Sequence, residues 1–169
     1  MAKLISVTQL KSALKGMDAP QLVQLIADMS KNCPQAREYL TVKFASVEDA
    51  KTVLEVYKKK VKNEFFPDKG FGRLRLKDAK KAISDFKSVC SDARMKIDII
   101  LVYVENCLEF TAAYGDINEP FYNSAESMYA QAVKDINAAG EDTYEYFAAR
   151  LKRIAEGAID GWGFRDNMQ

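Results

Sequence analysis

Apolar residues recur every three or four positions along almost the whole chain, and this spacing is typical of one face of an α-helix. The 169 residues include only 8 glycines and 4 prolines, and no stretch alternates apolar and polar residues for long enough to indicate a strand. Helix-start patterns occur between the apolar stretches, such as Asp18 with Gln21 and Ser46 with Asp49, and Ser91 is predicted to cap the helix that follows it. The sequence therefore predicts an all-α protein of about seven to eight helices.

The length of the chain suits one helical domain over residues 1–169, with a short C-terminal tail at 159–169. Helices joined by short loops usually pack as antiparallel neighbours, so we expect a compact array. Helix pairs stacked as in an α-solenoid are an alternative, although no clean internal repeat supports it. Segment 95–108 is apolar on nearly all sides, which predicts a central helix. Four residues form the predicted buried side of the third helix: Ala36, Tyr39, Leu40 and Phe44.

The chain contains no histidine, and this absence removes several kinds of chemistry. Histidine is the usual general base and the commonest metal ligand, so a Ser-His or Cys-His nucleophile and a Glu-x-x-His di-iron site are excluded. Cys33, Cys90 and Cys107 lack C-x-x-C spacing, which indicates reduced thiols that behave as small buried hydrophobes. We expect no cofactor.

The sequence also predicts where the protein resides. The N-terminal residues lack the long apolar core of a signal peptide, and the most apolar run, residues 97–104, is too short to span a bilayer. The net charge is +1, so the molecule as a whole has no bulk attraction for nucleic acid or for an anionic membrane. These features, with the reduced thiols, predict a cytoplasmic protein without membrane contact.

The small net charge hides a division between two segments of opposite sign. Residues 51–87 carry a net charge of +7, whereas residues 92–150 carry −7. Both segments could be solvated faces that attract each other across the fold. The basic segment could instead bind nucleic acid or another anion, or dock on an acidic partner. The candidate contacts for an anion or partner are Lys58, Lys59, Lys62, Arg73, Arg75, Lys80 and Lys81.

The segment G-F-G-R-L-R-L, from Gly70 to Leu76, lies between two predicted helices. Its amides and the following helix N-terminus could hold an anion. It lacks the Lys-hydroxyl pair of a P-loop, and no strand precedes its two glycines as in a dinucleotide fold. The alternative interpretation is a connector whose glycines allow the turn and whose leucines anchor it. On this second interpretation, Arg73 and Arg75 face solvent, a partner or the acidic segment.

Two further groups of residues are candidates for function. Glu105 and Glu109 lie one turn apart on the central helix, and paired carboxylates can serve acid–base chemistry or bind a hard cation. Helical carboxylates more commonly meet a lysine or arginine from a neighbouring helix. In the tail, Trp162 and Phe164 are either core anchors that dock into the fold or, if exposed, anchors of an interface.

Several stretches together resemble a family of small, all-helical bacterial proteins of unknown function. The segments that carry the resemblance are 20–26, 32–40, 65–67, 72–76, 79–83, 114–117, 121–124 and 161–164, so it covers almost the whole chain. The resemblance implies a bacterial, helical, single-domain protein. It brings no catalytic residue, cofactor or partner with it.

Three classes of function follow from these observations. The first is a non-enzymatic helical interaction module that binds a protein partner or itself, because many helices and a charge division occur without an active-site constellation. The alternative is nucleic-acid or anion binding through residues 51–87. An enzyme is the third, and it would use Glu105, Glu109 or a tyrosine.

Overall fold

The computed structural model describes residues 4–158, which form eight α-helices. In chain order the helices are α1 (Val7–Leu14), α2 (Ala19–Asn32), α3 (Pro34–Phe44), α4 (Val47–Asn63), α5 (Leu76–Val89), α6 (Ala93–Tyr114), α7 (Glu119–Ala139) and α8 (Glu141–Gly157). Within this described range no strand occurs. The prediction of an all-α array of seven to eight helices is therefore confirmed.

The helices begin where polar side chains can satisfy the first free backbone amides. The Asp18 carboxylate accepts from the Gln21 amide at 2.8 Å, and the Gln21 side chain accepts from the Asp18 amide at 3.0 Å, so the predicted cap of α2 is present. The predicted cap at Ser91 is wrong. Asp92 caps α6 instead, because its carboxylate accepts from the Met95 amide at 2.8 Å.

The core is built around α6, as its apolar composition predicts. This helix packs against α4, α5, α7 and α8, with α7 as its most extensive neighbour. Among its buried side chains Ile99, Ile100 and Val104 have no exposed surface. Burying one such side chain stabilises a fold by roughly 1.5–3 kcal/mol, so α6 holds the array together on several sides.

The three N-terminal helices lie outside this core. None of the residues of α1, α2 or α3 is buried, and the first buried residue of the described chain is Ala50 in α4. Helix α3 packs on α4 and α5, and α2 packs on α3. The predicted buried side of α3 is therefore wrong at Tyr39 and Phe44, which are 38% and 74% exposed. The cause is that α2 covers this face only in part and leaves an open groove along it.

Candidate functional site

A network of four charged side chains joins α4, α6 and α8 near the middle of the molecule. The Arg150 guanidinium donates to both oxygens of Glu105 at 2.7 Å and also to the Asp98 carboxylate. The second oxygen of Asp98 lies 2.7 Å from the ammonium group of Lys58. Asp98 is thus held between cations of two other helices, and Glu105 is engaged in an ion pair with Arg150.

The electrostatics of this network keep its cations charged. Burial by itself would lower the pKa of Lys58, but hydrogen bonds from its ammonium to Asp98 and Glu55 outweigh that effect, so its pKa is raised. Burial acts in the same direction on Arg150, and its bonds to Glu105 and Asp98 again leave the pKa raised. The pairing of Lys58 with Asp98 also joins the basic segment to the acidic one, and Lys87 with Asp135 at 3.4 Å is a second such pair.

Most of the other predicted basic contacts are also engaged within the chain. Lys59, Arg75 and Lys81 pair with Asp68, Glu64 and Asp85 at 3.4, 2.7 and 2.8 Å respectively. Lys80 is half-buried, and its ammonium lies 5.9 Å from the centre of the Tyr103 ring.

Two members of the predicted set are different. Lys62 and Arg73 are exposed and have no ion pair within residues 4–158. The structure thus engages four of the seven predicted contacts in ion pairs, and anion binding by the set stays a prediction.

The segment 70–76 belongs to an ordered connection between α4 and α5. Its backbone is held by amides that donate to other parts of the fold: Arg73 to the Phe65 carbonyl at 2.8 Å, and Gly72 to the Tyr114 hydroxyl at 3.0 Å. Gly70 adopts a φ of 93°, which favours glycine. Phe71 at the tip is 90% exposed. The segment has the features expected of a connector, and it also presents one aromatic ring beside Arg73.

The remaining predicted chemical groups do not form a site in the described structure. Glu109 is exposed, and no group of three carboxylates or thiols in residues 4–158 is arranged to hold a metal ion. Cys90 and Cys107 are buried as predicted, whereas the same prediction is wrong for Cys33, which is exposed before α3. Burial raises the pKa of the Cys107 thiol, so this thiol stays protonated. No helix in the described range is long and apolar enough to cross a bilayer.

Exposed apolar side chains are concentrated at the N-terminal end of the chain. Of the sixteen large apolar residues that are exposed within residues 4–158, ten precede residue 48. We call these ten the N-terminal apolar surface; they are Leu4, Ile5, Val7, Leu10, Val23, Ile26, Met29, Tyr39, Phe44 and Val47. This surface is the main feature that sequence reasoning missed, because helical spacing looks the same whether a face is covered by its own chain or by another.

Four residues of this surface line a groove between α2 and α3. The groove has a volume of about 300 Å³, and its walls are Ile26 and Met29 of α2 and Ala36, Tyr39, Leu40, Lys43 and Phe44 of α3. Lys43 is the only charged residue among them, and its ammonium lies 5.5 Å from the centre of the Tyr39 ring. Such a groove suits the apolar face of a helix, because it offers shape and apolar contact but few hydrogen bonds.

A second groove lies between α7 and α8 and encloses about 910 Å³. Its floor includes Tyr129, Val133 and Leu151, and Lys134 and Lys152 line it as well. Tyr129 and Leu151 are buried parts of the core, so this groove is a cleft in the packed array. In contrast, the α2–α3 groove belongs to helices that have no buried residue at all.

The last predicted anchors, Trp162 and Phe164, lie outside the described residues, so their role stays a prediction. Comparison with known proteins gives one match, and it is to a family model. No curated protein and no solved structure matches this chain. A model of a family of unknown function, DUF6155, matches residues 5–168, which include all eight helices. The resemblance to a helical family of unknown function is therefore confirmed, and the chain belongs to the DUF6155 family.

Proposed function

We propose that the protein is a non-enzymatic helical interaction module that binds a protein through its N-terminal apolar surface. The observation that carries this proposal is the contrast between the two parts of the chain. From Ala50 onward the helices bury apolar side chains against one another, whereas α1, α2 and α3 have no buried residue and leave several large apolar side chains exposed. Exposed apolar surface of this extent marks interaction sites in soluble proteins.

The amount of exposed surface supports the same conclusion. The ten residues of the N-terminal apolar surface are between 38% and 89% exposed. Summed over the ten residues, on the order of 1,000 Å² is exposed to solvent, and contiguous apolar patches above a few hundred Å² mark interaction sites. A specific interface buries about 800 Å² per partner, so covering most of these side chains would form an interface of ordinary size.

An affinity experiment with matched variants tests this function. The full chain is immobilised and incubated with a lysate of the cells that contain it, and captured proteins are identified and then purified for direct titration. Phe44→Glu places a charge in the α2–α3 groove and is expected to weaken binding of the purified partner at least tenfold. Phe71→Glu changes a ring that is 90% exposed elsewhere and should leave the affinity unchanged. Equal binding by all three chains, or binding by none, contradicts the proposal.

The cytoplasmic location that the sequence predicts and the bacterial origin that the family resemblance implies belong to this proposal as well. Three cysteines without disulfide-type spacing support a reducing compartment. Localisation of a tagged full-length chain by fractionation tests the compartment, and recovery with a secreted or membrane fraction would contradict it.

Nucleic-acid or anion binding is the second candidate function, and one observation favours it. Phe71 is 90% exposed on the loop before α5, next to Arg73, which has no ion pair within residues 4–158. An exposed ring beside a cation can stack on a base while the cation meets the backbone. Lys62, also without an ion pair in that range, would add a second phosphate contact.

Fluorescence anisotropy with a labelled single-stranded oligonucleotide at low salt tests this alternative. Arg73→Ala and Phe71→Ala should each weaken binding severalfold, and added salt should weaken it further. Lys81→Ala is the matched control, because Lys81 already pairs with Asp85 at 2.8 Å. No anisotropy change with wild-type protein removes this candidate.

A further inference from the structure

Helix α1 has no extensive packing partner within residues 4–158. Its eight residues, Val7–Leu14, begin at a complete capping box, in which Ser6 and Gln9 each accept a hydrogen bond from the other's amide. Yet none of its residues is buried, and within residues 4–158 no other helix makes an extensive contact with it. Isolated helices shorter than about 12–15 residues are marginal in water, so a helix of this length needs an apolar contact to persist.

The α2–α3 groove matches α1 in length and in chemistry. Eight helical residues span about 12 Å, and the stretch of α3 from Ala36 to Phe44 that lines the groove spans about 12 Å as well. Val7 and Leu10 of α1 are 69% and 42% exposed, and they lie on one face of the helix. This face is apolar, as is the groove apart from Lys43.

We propose that two copies of this chain form a dimer in which α1 of each copy lies in the α2–α3 groove of the other. This inference rests on the proposed function, and it names a second copy as the protein that binds. In its own chain α1 is not placed in the groove, since none of the residues that line it comes from α1. A two-fold dimer makes the contact twice and covers α1 and the groove in both copies.

The area supports a second copy as the partner. The members of the N-terminal apolar surface that lie in α1, directly before it or in the groove can supply most of the roughly 800 Å² per partner that a specific interface needs; they are Leu4, Ile5, Val7, Leu10, Ile26, Met29, Tyr39 and Phe44. Because each copy supplies both the helix and the groove, a dimer covers both halves of this surface at once. A single foreign helix in the groove would leave Val7 and Leu10 of α1 in solvent.

Mass measurement on the full chain tests the pairing. Sedimentation velocity at about 100 µM is expected to give twice the 19.0 kDa of one chain, at a concentration well above the dissociation constants of typical specific interfaces. Leu10→Glu in α1 and Phe44→Glu in the groove should each give a monomer whose circular-dichroism spectrum loses no more helix than the eight residues of α1. Phe71→Glu, the same type of change at an exposed ring outside this surface, should remain a dimer.

Mixing the two monomeric variants distinguishes the proposed contact from other dimers. The Leu10→Glu copy keeps an intact groove, and the Phe44→Glu copy keeps an intact α1, so one of the two contacts can form. Native mass spectrometry, in which the two variants differ in mass, should therefore detect a heterodimer that neither variant forms alone. Failure to restore any dimer on mixing overturns the α1–groove contact.

Two other outcomes also overturn the inference. One is a wild-type chain that remains monomeric at about 100 µM, and the other is a dimer that persists in both glutamate variants. Neither outcome by itself removes the proposed function, which fails only if no purified protein binds the chain in a manner that depends on Phe44. The two failures are therefore distinguishable.

Discussion

Removal of Arg150 is a direct test of the charged network that joins α4, α6 and α8. Its guanidinium makes two bonds of 2.7 Å to Glu105 and a third to the Asp98 carboxylate, and its side chain is only 18% exposed. Arg150→Met keeps most of the apolar stem but removes the charge. The change leaves two carboxylates that have lost a cationic partner.

The loss in the free energy of unfolding depends on whether Glu105 and Asp98 can replace the bond to Arg150 with water or with another cation. Breaking a fully buried ion pair costs about 3–5 kcal/mol, because the remaining charge stays unpaired. Glu105 is 39% exposed and can hydrate, and Asp98 keeps Lys58 at 2.7 Å, so both losses are reduced. We therefore expect Arg150→Met to lower the free energy of unfolding by about 2 kcal/mol.

Urea denaturation followed by circular dichroism at neutral pH measures this loss. The midpoint should fall while the slope against urea stays constant, since the surface exposed on unfolding is unchanged. Lys81→Met is the control, because its pair with Asp85 is exposed and should contribute less than about 0.5 kcal/mol. If Arg150→Met costs no more than Lys81→Met, the network does not stabilise the fold and the reasoning is refuted.

Three further predictions concern other parts of the chain. Burial raises the pKa of Tyr103 above its ordinary 10.0, so the folded protein keeps a proton that the unfolded chain loses, and stability should fall as the pH rises above about 10. Tyr103→Phe should reduce this fall, which urea denaturation at a series of high pH values measures. An unchanged slope of the free energy of unfolding against pH would contradict the prediction. Gly72→Ala and Tyr114→Phe should each lower the free energy of unfolding by about 1 kcal/mol, because each disrupts the same hydrogen bond: Tyr114→Phe removes the hydroxyl, and a Cβ at position 72 would lie 2.6 Å from it. The double variant should therefore lose less than the sum of the two, and additive losses would contradict the prediction. Trp162, the only tryptophan of the sequence, lies outside the described residues; if it docks into the fold as the sequence predicts, its emission should shift to the red on unfolding, and native emission already typical of water would contradict docking.

The number and limits of the helices could be predicted from the sequence because they depend on local chemistry. Asp18 and Ser46 cap helices through residues three positions away, so neither needs a distant partner. The choice between Ser91 and Asp92 as the cap of α6 went wrong because both are good capping residues and neighbours. Local chemistry thus fixes a helix start to within about one or two residues.

The burial of α6 follows from its own sequence, whereas the burial of α3 depends on its neighbours. Because α6 is apolar on nearly all sides, most of its apolar side chains are buried whichever side of the helix faces the core. In contrast, Tyr39 and Phe44 of α3 are buried only if another element covers their face. The helical spacing of these two residues does not predict whether such a covering element is present. The same limit applies to charges: the pairing of Lys58 with Asp98, 40 positions later, is set by the packing of α4 on α6.

The separation of the core from the N-terminal helices makes the proposed contacts testable by mutation. Core formation relies on residues from Ala50 onward, so Leu10 and Phe44 can be changed without opening a cavity in it. Polar substitutions at such exposed positions usually change stability by less than about 0.5 kcal/mol. A loss of binding in Leu10→Glu or Phe44→Glu therefore reports on the surface itself, whereas the same substitution at Ile99 would report on folding.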